Sequence, residues 1–226
     1  GEGVDRATLL LPEEQDRLIA AVAEANSNTV VVLINGSPVA MGAWLDRSAA
    51  VLEAWYAGQE GGNAMARILF GEVNPSGKLP LTFPRRLADN PSFGNFPGRD
   101  GRVDYQEGVF VGYRHYDEHG VEPLFPFGHG LSYTTFRFDN LKVENQDPRQ
   151  GQPVQVSVDV MNTGAREGQE VVQVYVADAE SSVPRPPQEL KGFAKINLRP
   201  GEKKTVTVPL GADAFSYYDE SSHGWK

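Results

Sequence analysis

The chain has 226 residues, 40% of them hydrophobic and 23% charged, with a formal net charge of -9. That length suffices for two domains that each bury a core, and the acidic balance argues against a nucleic-acid binder, which needs a basic face to displace counterions. With no cysteine, the chain has no disulfide framework, thiolate metal site or cysteine nucleophile.

No apolar run approaches the roughly 18 residues of a membrane span, and no basic-then-apolar leader opens the sequence. Gly1-Glu2-Gly3, without an initiator methionine, points to a mature fragment or a segment of a longer protein. A soluble protein, either cytoplasmic or exported, is expected.

Pro12 to Ala25 reads as a helix: Pro12 suits the first turn, Glu13 and Glu14 favour the positive end of the dipole, and Leu18, Ile19 and Val22 share a face. Thr29 to Ile34 is a continuous β-branched run, the pattern of a strand covered on both sides in a parallel sheet, and it stops at Asn35-Gly36-Ser37-Pro38. A second apolar run, Ala49 to Tyr56, leads through Gly58-Gln59-Glu60-Gly61-Gly62 into a helical segment, Asn63 to Phe70, closed by Gly71. This is α/β order, in which ligands collect at the carboxyl ends of strands.

Lys78 to Pro84 is a short extended piece bounded by prolines, a covering arm. Ser76-Gly77-Lys78 invites comparison with a phosphate loop, but Glu72 and Leu79 break the Walker pattern at both ends. Phe93 to Arg102 reads as a surface loop and Gly108 to Arg114 as a strand. From Leu124 to Phe136 the chain changes character, and a histidine, His129, lies between two glycines. Beyond it the period becomes two: Phe136 and Phe138, Val154 to Val160, Val172 to Val176, and Val206 with Val208 alternate with polar neighbours. Turn signals at Asn162-Thr163-Gly164 and Pro200-Gly201, a further strand Gly192 to Ile196 and a docking segment Phe215 to Tyr218 complete a β-sandwich pattern.

Among candidate chemical residues Glu2 stands out, since flanking glycines allow a carboxyl to project into a confined site; a frayed chain end is the alternative. His129 has no serine or cysteine partner motif, and packing at the joint is the reading it favours. Asn35, Ser37 and Gln59 to Asn63 occupy strand-end turns, where loop architecture competes with ligand contact. Trp55 reads as core, while Trp44 and Trp225 are open between core and sugar stacking. His115, His119 and His223 show no metal-ligand spacing.

Gly1-Glu2-Gly3-Val4-Asp5-Arg6, the strand and turn Val30 to Pro38, Trp55 to Ala64, Gly71 to Pro80 and Phe127 to Thr134 resemble the C-terminal part of glycoside hydrolase family 3 enzymes, particularly the three-domain β-glucosidases. Glu170 to Val176 and Glu189 to Phe193 resemble that family's fibronectin type III-like domain, so the likeness covers nearly the whole chain in order. It implies an α/β plus all-β protein: the second half of an α/β sandwich domain, mostly parallel sheet with helices, over 1–123, a joint over 124–136 and a fibronectin type III-like β-sandwich over 137–226.

The resemblance also implies a retaining hydrolysis of terminal β-D-glucosyl residues by two carboxyls. Glu2 matches the family's general acid/base, Val4 stands at a position on the aglycone side that is often aromatic, and Asp5 with Arg6 forms a structural ion pair. The nucleophilic aspartate belongs to an N-terminal (β/α)8-like barrel, in a Ser-Asp-Trp or similar motif that this chain lacks. Implied partners are a β-glucoside or oligosaccharide and that barrel, with no nucleic acid and no membrane. No cofactor or metal is required, and the 226 residues alone are expected to be inactive. A non-catalytic carbohydrate-binding or structural interaction module is the competing reading.

Overall fold

A computed structural model describes residues 6–145 and 152–226, which form two compact units. One comprises residues up to Glu72 together with Leu79–His129, and the other Val73–Lys78 together with Gly130–Lys226.

The first unit begins with helix α1 (Glu13–Ala25), which leads into strand β1 (Val30–Leu33). Its buried stripe is Asp16, Ile19, Ala20 and Ala23, the i, i+3, i+4, i+7 set of a helix with 3.6 residues per turn. The sequence pattern places Leu18 and Val22 on the same face as Ile19, but both are exposed, and the side of the helix turned inward carries Ala20 and Ala23 instead. β1 pairs in parallel with β2 (Ala50–Glu53), Val30 facing Ala50 and Leu33 facing Glu53.

Burial along β1 alternates: Val31 and Leu33 are 8% and 5% exposed, whereas Val30 and Ile34 are 45% and 64% exposed. The expectation of a strand covered on both faces is therefore corrected. The continuous β-branched run supplies an apolar surface to both faces, and the described residues cover one of them.

That covered face packs into a core of Val31, Leu33, Val39, Met41, Trp44 and Phe83. Trp44 fills it fully and donates from Nε1 to Asp16 at 2.7 Å, which settles it as a core residue and explains the acid on the inner stripe of α1. The covering arm lies beside residues 124–129: Phe83 N–H donates to Phe125 O at 2.8 Å and Leu79 N–H to His129 O at 2.8 Å. It thereby sends Leu79, Leu81 and Phe83 inward.

Helix α2 (Gly61–Leu69) follows β2 and ends before Gly71, whose φ of 77° only glycine adopts freely. The strand expected over Gly108 to Arg114 is not formed. Gly108 and Gly112 sit at φ of 55° and 56°, outside the extended region, and helix α3 (Tyr113–His119) starts directly after them.

In the second unit, β3 (Phe136–Glu144), β4 (Val154–Asn162) and β7 (Lys203–Leu210) form one antiparallel sheet, and β5 (Gly168–Val176) with β6 (Glu189–Leu198) forms another. Between them lies a core of Val154, Val160, Val172, Leu198, Val206 and Val208. The period-two valines thus face inward as the alternation predicts. Phe138 departs from the expected pattern and is exposed; β3 shifts register between Asp139 and Lys142, with Asn140 at φ 56°. Phe215 closes a 3-10 turn (Ala212–Phe215) and packs on the core, followed by the hairpin β8 (Tyr218–Asp219) and β9 (Gly224–Trp225).

Asn162, read from sequence only as a turn signal, is completely buried. Its Oδ1 accepts from Thr134 Oγ1 at 2.7 Å and from Gly164 N–H at 3.1 Å, while Nδ2 donates to Arg166 O at 2.7 Å and Leu198 O at 3.0 Å. The amide thereby uses both donors and accepts twice, which is how a polar side chain is accommodated in a core.

Lys78 has an equally specific place. Its Nζ meets Glu170 Oε1 at 2.8 Å and donates to Gly130 O at 2.8 Å. The lysine of the failed phosphate-loop comparison is a structural ion. Gly130 is also required here, since a Cβ would stand 2.1 Å from the Gly77 carbonyl oxygen.

Candidate functional site

The carboxyl ends of β1 and β2 lie side by side because Leu33 and Glu53 are register partners, and Ala54 N–H extends the ladder to Leu33 O at 2.9 Å. Asn35-Gly36-Ser37-Pro38 leaves one strand and Ala54-Trp55-Tyr56 the other. Glu53 joins the two exits. Its Oε1 accepts from Trp55 N–H at 3.0 Å. With the Asn35 amide nitrogen turned towards it, the orientation that satisfies donor and acceptor alike, Asn35 donates to Oε1 at 2.7 Å and Oε2 at 3.1 Å.

Burial raises the Glu53 pKa above the ordinary carboxylate value, an effect opposed in part by the Trp55 N–H. Trp55 itself sits at φ 48°, an uncommon conformation for a bulky residue, and is held by packing against Phe83 with ring centroids 6.0 Å apart. It belongs to the margin of the core, as expected from sequence.

Across the β1 exit, Arg6 Nη1 donates to Ser37 Oγ at 3.1 Å and Nη2 to the Leu10 carbonyl at 2.7 Å. Ala40 N–H donates to Leu9 O at 2.8 Å, so segment 6–10 is tied to segment 37–40 at two points. An open cleft lined by Arg6, Leu10, Leu11, Asp16, Asn35 and Val39 runs along this junction. Its lining combines the hydrogen-bonding Arg6, Asp16 and Asn35 with the apolar Leu10, Leu11 and Val39.

Glu2, Val4 and Asp5 lie outside the described residues. The structure brings Arg6, Asn35 and Ser37 together. It does not bring His129 to them: that ring stacks on Phe125 at a centroid distance of 5.0 Å, and its backbone pairs with Leu79 and Pro126. In the second turn, Asn63 Nδ2 donates to Glu60 Oε2 at 2.7 Å at the start of α2, a local closure of the loop. Trp225 is exposed and packs edge-on against Tyr218. His115 and His119 stack on each other at 4.5 Å, and among the described residues no cluster of three or more potential ligands could hold a metal ion. No helix among those residues is long and apolar enough to cross a membrane.

The family model for the glycosyl hydrolase family 3 C-terminal domain matches residues 1–133, and that for the fibronectin type III-like domain matches residues 170–226. The chain belongs to glycosyl hydrolase family 3. Within this family it is 57% identical to thermostable beta-glucosidase B of Acetivibrio thermocellus, over 99% of the chain and 30% of that relative. It is 49% identical to probable beta-glucosidase J of Neosartorya fischeri, over 99% of the chain and 27% of the relative. Among solved family 3 structures, DesR, a beta-glucosidase from Streptomyces venezuelae in complex with D-glucose, superposes with a TM-score of 0.94 at 46% identity, over 100% of this chain and 29% of that one. A Bifidobacterium adolescentis GH3 beta-glucosidase gives 0.94 and 46%, over 100% of this chain and 33% of that one. The chain thus spans about a third or less of the length of these relatives.

The family 3 match takes in the Gly-Glu-Gly segment that ends at Arg6. Sequence reading passed over Glu53, which lay inside what looked like an apolar strand. The available signal was its position: an acidic residue at the last place of an apolar, partly buried strand, where it faces the neighbouring exit turn.

Proposed function

We propose that this chain is the acid/base-bearing part of a retaining β-glucosidase that removes terminal β-D-glucosyl residues. Glu2 is the general acid/base, and the nucleophile is supplied by an N-terminal (β/α)8-like barrel of the same protein. The observation that carries this reading is likeness to relatives named beta-glucosidases over 99% of the chain, one of them at 57% identity, with Glu2 in its Gly-Glu-Gly setting close to the anchored Arg6.

The chemistry follows from two carboxyls in a retaining geometry. The nucleophilic carboxylate attacks the anomeric carbon while Glu2, protonated, gives its proton to the departing glycosidic oxygen. A covalent glycosyl-enzyme results. Glu2, now a carboxylate, then takes a proton from a water that attacks the same carbon and releases glucose, which restores both groups. Such a pair works at a separation of about 5–5.5 Å. An acid/base of this kind contributes on the order of 10²- to 10⁴-fold in rate. Val4, two residues on, lies towards the aglycone and offers it a small apolar surface without stacking.

In the full-length enzyme, Glu2→Ala should lose turnover of alkyl glucosides by about that factor. It should retain glycosylation by a dinitrophenyl glucoside and regain turnover of it with azide, yielding glucosyl azide. Wild-type behaviour of the variant would refute the assignment. The 226-residue chain alone, lacking a nucleophile, should release no nitrophenol from an activated β-glucoside.

A further inference from the structure

An acid/base is useful only if its carboxyl is held within hydrogen-bond reach of the leaving oxygen, and displacement by about 1 Å can cost on the order of 100-fold. Glu2 is flanked by Gly1 and Gly3, which supply no stiffness of their own. The first described side chain downstream of it is Arg6.

We propose that Arg6, gripping Ser37 Oγ and the Leu10 carbonyl with one guanidinium while the Asn35–Glu53 pair braces the same β1 exit turn, is the positioning device for the Glu2 segment. This inference rests on the acid/base reading of Glu2. The two amino groups of Arg6 take different partners, at 3.1 Å and 2.7 Å. A planar fork presents two donors on separate nitrogens in a fixed geometry, whereas a lysine would have to reach both acceptors from one nitrogen. Ser37 is in turn fixed because Asn35, two residues earlier, is bonded to both oxygens of Glu53, and Glu53 is anchored at the end of β2 through Trp55 N–H.

The path runs from a strand end, through a half-buried carboxylate and a turn, to the residue four positions after Glu2. None of Arg6, Ser37, Asn35 and Glu53 needs to touch substrate.

The test is a comparison of leaving groups in the full-length enzyme. The constant kcat/KM is measured on an alkyl β-glucoside, which needs its oxygen protonated, and on 2,4-dinitrophenyl β-glucoside, which does not. Active sites are counted by inactivation with a 2-deoxy-2-fluoro glucoside, so misfolded protein does not enter the rates. Arg6→Ala should lower kcat/KM about 10- to 100-fold on the alkyl substrate and less than about twofold on the aryl one. Ser37→Ala should give about a 3- to 10-fold loss with the same selectivity, with Ser37→Thr restoring most of it.

Equal losses on both substrates from Arg6→Ala and Ser37→Ala, beside a selective loss from Glu2→Ala, would overturn the positioning role and leave the acid/base reading intact. A Glu2→Ala variant without selectivity would instead overturn the reading on which the inference rests. Arg6→Lys provides a variant that keeps the charge and the stem; an unaltered leaving-group profile in it would also count against the two-pronged grip.

Discussion

Asn162→Ala is expected to be among the most destabilising single changes in the second unit. Truncation leaves four groups without their partner: Thr134 Oγ1, Leu198 O, Arg166 O and Gly164 N–H. The bonds to Thr134 and Leu198 are buried, whereas those to Arg166 and Gly164 are partly buried, so water can replace the second pair but not the first. At about 1–3 kcal/mol for each buried group left unpaired, with a smaller share from the other two, the loss is about 3–5 kcal/mol. That is a large fraction of the roughly 5–15 kcal/mol that holds a typical domain together.

Hydrogen exchange of the β4 and β6 amides reads this unit separately from the first. At about 1.36 kcal/mol per decade, their exchange should accelerate on the order of 10²- to 10⁴-fold. Thr134→Val removes one bond only and should cost about 1 kcal/mol, with the double variant less destabilised than the sum because the two side chains share that bond. A loss below about 1 kcal/mol for Asn162→Ala would refute its role as the polar hub, and strict additivity with Thr134→Val would refute the shared bond.

Two further outcomes follow from buried charges. Because burial raises the Glu53 pKa, its protonated form is favoured by folding. Its contribution to stability is therefore complete below the unfolded value of about 4.3 and lost as pH rises through the higher folded value. Glu53→Gln should remove that dependence, so the difference in Tm between variant and wild type should move in the variant's favour from about pH 4 upward; identical pH profiles would refute a net upward shift. Lys78→Met strands the Glu170 carboxylate and the Gly130 carbonyl and should cost about 2–4 kcal/mol by urea unfolding, while Lys78→Met with Glu170→Leu should recover at least half of it. No recovery in the pair would mean that lysine packing, rather than the lost counter-ion, accounts for the effect.

Much of the fold was legible because its determinants are local. The Glu13–Ala25 helix, the two apolar strand runs and the alternating valines of β4, β5 and β7 each reflect a period that the sequence displays directly. The failures have local causes too. Gly108 and Gly112 bracket Val109 to Val111, which reads as a strand, but their positive φ values turn the chain into α3 instead. On α1, apolarity at Leu18 and Val22 suggested the inner face, while packing chose the smaller Ala20 and Ala23.

Site residues were less legible. Arg6 and Ser37 are 31 positions apart, so no local pattern brings them together. Asn162 looked like any turn asparagine, since its burial depends on Thr134, in the bend before β3, and Leu198, at the end of β6. Asn35 and Ser37 were recognisable as strand-end residues, but the carboxylate that braces them was hidden in an apolar run.

Finally, β1 and β2 pair only with each other among the described residues, and each leaves one backbone edge open. Parallel strands rarely stand as an isolated pair, and here Val30 and Ile34 add an uncovered apolar face beside the open ladder. Such an edge is a template. It accepts the next strand of a larger sheet or, when this segment is produced by itself, the same edge of another molecule. Dilute solution and a charged residue in place of Val30 are then the practical means of keeping the chain monomeric, because the stickiness is written into the sheet itself.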